Sequence, residues 1–354
     1  MRLSPPLPHP PGVAAAAVWL PDGRDAATSA VAAGRLDTDT AERLSYTALA
    51  CDGPAPVLMA IAAARGALAE AGWCGDDVDL VVHASTYDQG NDLWSPAHHI
   101  ANEVGAHAAI GVCVQQMSNG AVAALEVAAS RLAADPSVSR CLVTTADRFS
   151  APAFDRWRSD YDVGYGDGGT ALLLERDVAA FHLLSVTSIS NTRYEAMHRG
   201  ATNVDVRPPT VDVRSRKRAF AQTGAMPAFK ATLAASVTDV IKTALDEAGV
   251  PASDPRIRCL ALPRIGVRTR GEFYDGAIEA AGLAGAEKLD YGRSTGHLGA
   301  GDIFANLAEI WHSDYLAVGE IALLLSVGAG FTWSCVAVQR ASGDPCPKAI
   351  EEET

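Results

Sequence analysis

The chain has 354 residues, 48% of them hydrophobic and 20% charged, with a formal charge of −13. That much apolar surface offsets the ordering entropy and excludes disorder as the dominant state. The acidity argues against nucleic acid as a partner. No uncharged apolar run reaches about 18 residues, which excludes a membrane-spanning helix. The first twenty residues hold one Arg and five prolines and do not make a signal peptide. Seven scattered cysteines, an odd number without a CxxC pair, fit a reduced, cytoplasmic protein with neither a disulfide frame nor a zinc site.

The first 30 residues offer a first strand and nothing more. PVLMAIAAARGALAEAG (56–72) carries apolar residues at helical spacing and stops at a glycine. VDLVVHAS (78–85) follows as a strand. A strand pattern over 111–117 runs into a helix predicted over 119–134, with Ser118 at the junction. CLVTTA (141–146) is a near-continuous apolar run, as in strands buried on both faces. YGDGGTALLLER (165–176) is a glycine-rich turn feeding a strand.

The second half repeats this order. ATLAASVTDVIKTALDEAG (231–249) is a helix, IRCLALPR (257–264) a strand, and YGRSTGHLGAGD (291–302) a turn before the helical IFANLAEIW. VGAGFTWSCVAVQR (327–340) is again a glycine turn and a strand. ALAEAG (67–72) and ALDEAG (244–249) echo each other, as do the two glycine turns. Two echoes in one order favour a duplicated α/β unit, with halves 1–176 and 177–354. The Pro- and Arg-rich segment 199–228 breaks the pattern and reads as an excursion over the surface.

Ser118 sits where backbone N–H groups are unpaired and the helix dipole is positive. That suits a nucleophile whose acyl intermediate carries an oxyanion. On spacing alone an N-cap role is sufficient. His297 follows Ser118 by 179 residues, close to the 177-residue offset of the ALxEAG echo. Halves related by a pseudo-twofold axis would bring the two helix starts together. Ser118 and His297 then become partners, and Asp302 can orient the imidazole as in a Ser-His-Asp set. His198 is either a second polar group at that site or an exposed loop residue, and spacing favours the loop. His98 and His99 lack further ligands at metal spacing, so no metal is expected. Asp167 suits the tight turn.

Four segments in order resemble the ketoacyl-ACP synthase III family. These are VDLVVHASTYD with SPAHHIANEVGA, SNGAVAALEVA, YGDGGTALLLE and SVGAGFTWSCVAV. The resemblance implies a thiolase fold, a duplicated α-β-α-β-α body with pseudo-twofold halves, and a homodimer. It also implies an oxyanion hole from the N–H groups of Ser118 and Ala329. The departures matter as much. Ser118 stands where the family has its nucleophilic cysteine, and the proline-histidine step is Pro263-Arg264. The Gly-Asn step is Gly292-Arg293, with His297 nearby. Ser118, His297 and Asp302 thus replace a Cys-His-Asn set.

That pattern resembles the propionyl starter-unit proteins of daunorubicin-type aromatic polyketide pathways. It implies an acyltransferase of ketosynthase III kind that takes propionyl from propionyl-CoA. The acceptor is acyl carrier protein, free or malonyl-loaded, with type II polyketide synthase subunits as partners. Coenzyme A thioester is substrate, and no cofactor is expected. A serine is coherent with this set, because an un-ionised hydroxyl needs a base held by a carboxylate. Acyl transfer follows more directly than decarboxylative condensation. A silent starter-specificity subunit and a simple acyltransferase or thioesterase are the alternatives. An acidic carrier protein would need a basic patch on this acidic chain. The candidates are Arg214, Arg216, Lys217 and Arg218, and Arg264, Arg268 and Arg270; either cluster is equally a solvated basic face.

Overall fold

The computed structural model describes residues 11–176, 180–200 and 209–341. Strands β1 (Pro11–Trp19), β2 (Gly23–Ala26), β3 (Ala48–Cys51), β4 (Leu80–Ala84), β5 (Ile110–Val114) and β6 (Arg140–Asp147) come first. β7 (Gly168–Arg176), β8 (Phe181–Ser190), β9 (Ile257–Ala261), β10 (Glu287–Leu289), β11 (Ile321–Gly328) and β12 (Thr332–Arg340) complete the set. β2 and β3 form a small antiparallel pair. The other ten make one sheet in the order β10-β9-β11-β12-β8-β1-β7-β6-β4-β5.

That order reads the same from either end once β1 is matched with β8, β4 with β9, β5 with β10, β6 with β11 and β7 with β12. The hydrogen-bond senses match as well. β4 runs parallel to β5 and β6, as β9 does to β10 and β11. β7 and β12 are antiparallel to their neighbours. The two sets meet where β1 and β8 pair antiparallel, Gly12 opposite His182 and Val13 opposite Phe181. The sequence echo therefore reflects a duplicated sheet.

Apolar strands buried on both faces need helices on both faces. Leu172 and Leu174 of β7 turn inward, while Ala171 and Leu173 turn outward, with the period of two that a strand imposes. The inner layer is the helix Gly120–Ala134 together with the helix Asp302–His312. Their Leu125, Ala128, Phe304 and Leu307 pack between Val82 and Val143 of one set and Leu324 and Val336 of the other. The helix Pro56–Ala71 covers the outer face of the first set, and Met226–Ala248 that of the second. These are the five layers of the expected fold. Both outer helices carry a proline in the first turn and end on a left-handed glycine, Gly72 and Gly249.

The structure departs from expectation in two places. Residues 115–119 form a turn and do not prolong β5. The segment 199–228 is also more ordered than an excursion. Its described part holds a helix, Val213–Gln222, capped by Asp212 and anchored by buried Val213 and Phe220. Residues 201–208 and the first ten lie outside the described residues. Among those described, no helix is long and apolar enough to cross a membrane, and all six cysteines are free; Cys346 lies outside them.

Phe304 is 1% exposed in the central layer. Phe304→Ala should destabilise the protein by about 3–5 kcal/mol, because the emptied space is walled by both strand sets. Leu58→Ala, at a position 49% exposed, should stay within about 0.5 kcal/mol. Denaturant unfolding of the two variants checks the contrast.

Candidate active site

The turn after β5 delivers Ser118. Met117 takes a left-handed φ of 50°, an uncommon conformation for a side-chain-bearing residue. Asn119, not Ser118, is the N-cap of the helix Gly120–Ala134. Its amide bonds Gln116 Oε1 at 2.7 Å. Ser118 is thus released from the capping role that its spacing had offered. A Cβ on Gly120 would lie 3.1 Å from the Cβ of Ala300 and 3.2 Å from that of Ala84. A glycine there lets the helix start sit against the loop of the other half.

His297 is fixed in that loop by its backbone. Its N–H donates to Gly164 O at 2.8 Å, and its carbonyl accepts from Gly166 N–H at 2.9 Å. Its Nδ1 donates to Asp302 Oδ2 at 2.6 Å. With the proton there, Nε2 carries the lone pair, and Ser118 Oγ donates to it at 2.7 Å. Asp302 opens the helix Asp302–His312 and accepts from Leu298 N–H at 2.8 Å and Arg264 N–H at 2.9 Å. Burial disfavours charge on the imidazole, but Asp302 overcomes it and holds His297 above the usual imidazole range. Burial likewise works against the Asp302 carboxylate, and His297 and Arg264 keep it below the usual range.

Ser118 and His297 open into a cavity of about 1060 Å³ that Ala329 and His198 also line. Ala329 follows β11. A Cβ on Gly328 would lie 2.7 Å from Asn119 Cβ and from Gln116 O, so only glycine lets that turn rest on the Ser118 turn. His198 is not an exposed loop residue. It sits on the helical turn Ala196–Arg199, its ring 5.4 Å from that of Phe331. Burial pushes its pKa down to about 4, so it is neutral.

The basic clusters divide. Arg264 is 1% exposed and bonded to Asn306 and Thr295, and Arg270 is buried against Asp290. Neither can face a docking partner, because each guanidinium is enclosed inside the protein. Lys217 reaches Asp160 at 2.6 Å and Asp162 at 3.0 Å. Arg214 donates to Asp160 O, and Arg216 to His198 O. Arg216, Lys217 and Arg218 line the cavity, and Arg268 is exposed beyond it.

Sequence reasoning missed the aromatic wall and the Asp147 carboxylate. Tyr87, Phe149, Phe154 and Tyr165 pack on one another along the cavity, and the Tyr165 ring is 5.5 Å from that of His297. Tyr87 is remote in the chain from the other three, and the four carry no periodicity, so no local signal groups them. Asp147, which ends β6, accepts N–H bonds from Thr86, Tyr87 and Ala300; burial pushes it up to about 6. Asp167 does more than shape a turn, because it accepts from Phe149 N–H and pairs with Arg156.

Family models agree with this geometry in both halves. Residues 114–192 match 3-oxoacyl-(acyl-carrier-protein) synthase III, and residues 267–340 match its C-terminal part. The chain is 27% identical over 292 residues to beta-ketoacyl-(acyl-carrier-protein) synthase III of Mesorhizobium japonicum, covering 82% of this chain and 86% of that protein. Among solved structures it is similar to the acyltransferase ChlB3, at 29% identity and a TM-score of 0.88, over 96% of this chain and 99% of that one. The priming beta-ketosynthase of the R1128 polyketide pathway superposes with a TM-score of 0.74 at 20% identity, over 94% and 97%. The shared fold is the thiolase fold. With both family models matched in order and relatives aligned over most of its length, the chain is similar to the ketosynthase III family in both sequence and fold.

Proposed function

We propose that this protein is a starter-unit acyltransferase of aromatic (type II) polyketide biosynthesis, working through an acyl-serine. The carrying observation is the chain of contacts from Ser118 Oγ through His297 to Asp302, 2.7 and 2.6 Å. Ser118 Oγ attacks the thioester carbonyl of propionyl-CoA as its proton passes to His297 Nε2. The N–H groups of Ser118 and Ala329 hold the oxyanion. The C–S bond then breaks, and the coenzyme A sulfur leaves with the proton from His297. A carrier-protein thiol reverses these steps, giving its proton to His297, which returns it to Ser118. Where the acceptor is malonyl-loaded carrier protein, loss of carbon dioxide leaves an enolate whose oxygen the neutral His198 can hold; its carbon attacks the acyl carbonyl, and Ser118 Oγ leaves with a proton from His297.

Of the two basic clusters, Arg218 at the cavity and Arg268 beyond it are exposed and left for coenzyme A phosphates and an acidic carrier protein, while Lys217 is held by Asp160 and Asp162. For the homodimer, the edge strand β5 offers exposed Ile110 beside Val127. The likeness to an acyltransferase supports transfer, and that to a priming ketosynthase supports the polyketide setting. A silent subunit has no need of a base on Ser118.

Incubation with propionyl-CoA alone should add one propionyl group at Ser118, read by intact-mass and peptide spectrometry. No adduct, or one on Cys113, rejects the serine mechanism. Since His297 must be neutral to accept the proton, acylation should fall as pH drops through its midpoint, which lies above the usual imidazole value.

His297→Ala and Asp302→Asn should each slow acylation on the order of 10³-fold or more in single-turnover measurements. A wild-type rate in His297→Ala would move the base elsewhere, first to His198.

Ser118→Cys should still take the acyl group, because a thiol beside a helix N-terminus ionises in part by itself. Adding His297→Ala should therefore harm the cysteine enzyme less than the serine enzyme. Equal losses in the two backgrounds would mean that His297 positions substrate and does not activate Ser118.

A further inference from the structure

Arg264 is an anomaly in charge. Its side chain is 1% exposed, and its partners are neutral: Nε donates to Asn306 Oδ1 and Nη1 to Thr295 Oγ1, each at 2.8 Å. Nη2 is buried without a hydrogen-bond partner among the described residues. A buried cation without a contacting carboxylate is costly, and an arginine does not escape by losing its proton. Asp302 is the carboxylate that acts on it most strongly, and the backbone N–H of Arg264 already donates to Asp302 Oδ2. That is the oxygen His297 Nδ1 also uses.

We propose that Arg264 is a positioning residue for the Ser118 reaction, fixing the Asp302 carboxylate through its backbone N–H and offsetting that carboxylate's charge through its guanidinium. The consequence falls on His297. A lone buried carboxylate on Nδ1 draws a proton onto the imidazole. Nε2 would then carry hydrogen and could not accept one from Ser118. A cation behind the carboxylate weakens that pull, so a larger share of the imidazole stays neutral.

The other groups facing His297 do not provide this balance. Asp147, from the end of β6, and Asp160 are carboxylates and add to the pull. Asp147 is held by three backbone N–H groups, and Asp160 is paired with Lys217. Tyr165 presents its ring, and its hydroxyl donates to Asp160. Asn306 anchors the guanidinium and is itself tied to Leu262 O at 2.9 Å. This arrangement gives the arginine a fixed place behind the site.

The inference rests on the Ser118 reading, but its test needs no substrate. In protein carrying 13C at histidine Cε1, the His297 signal is assigned by its loss in His297→Gln, and its titration midpoint is read by NMR. Arg264→Gln should raise that midpoint by about one pH unit. Arg264→Lys, which keeps the charge, should leave it close to wild type, a rescue that a purely structural role would not give. If Arg264→Gln does not fold, Asn306→Asp replaces it. A carboxylate against the guanidinium cancels its charge, and the midpoint should again rise. A midpoint unmoved by these changes, or moved as far by Arg264→Lys as by Arg264→Gln, overturns the proposal. A raised midpoint in a protein that takes no acyl group from propionyl-CoA would instead refute the acyl-transfer reading and support the role of Arg264 on His297.

Discussion

Asp302 is a carboxylate taken out of water, and the site is organised around keeping it charged. An isolated buried carboxylate takes up a proton, and a protonated Asp302 could not orient His297. Four groups prevent this: the Leu298 N–H, the Arg264 N–H, the imidazole itself and the charge of Arg264. They come from the His297 loop and from the segment after β9. Both must be in place for Ser118 to meet an oriented imidazole.

The duplicated architecture makes that possible. Two helix starts, one behind Ser118 and one beginning at Asp302, meet in the central layer because the strand sets are mirrored about the β1–β8 pair. Each half supplies one side of the contact chain: the Ser118 hydroxyl from the first, the His297 imidazole and the Asp302 carboxylate from the second. The close approaches at Gly120 and Gly328 are the local form of the same constraint. Bulk at either would separate the halves just where Ser118 Oγ meets His297 Nε2 at 2.7 Å.

The cavity's two walls differ in chemistry. The rings of Tyr87, Phe149, Phe154 and Tyr165 offer an apolar surface beside His297. Asp160, Lys217 and Arg216 make the other region polar and largely self-paired. The cavity therefore offers an apolar and a polar surface side by side, and the aromatic side shields the His297 imidazole from water.

Local order along the chain was legible in advance. The echo of ALAEAG and ALDEAG, each closed by a glycine, marked two equivalent helices. The apolar runs marked strands buried on both faces. Ser118, His297 and Asp302 were joined by the offset between the halves and by resemblance to a family. Periodicity and helix stops are properties of neighbouring residues, so a linear reading reaches them. What lay beyond it was the solvation of individual side chains. Arg264 and Arg218 look alike in a sequence, yet one is enclosed behind Asp302 and the other is open to solvent. His198 moved from loop to cavity, and the aromatic wall came together from residues 87 to 165. Burial is decided by segments remote in the chain that pack on one another, and only the tertiary structure sums those contacts.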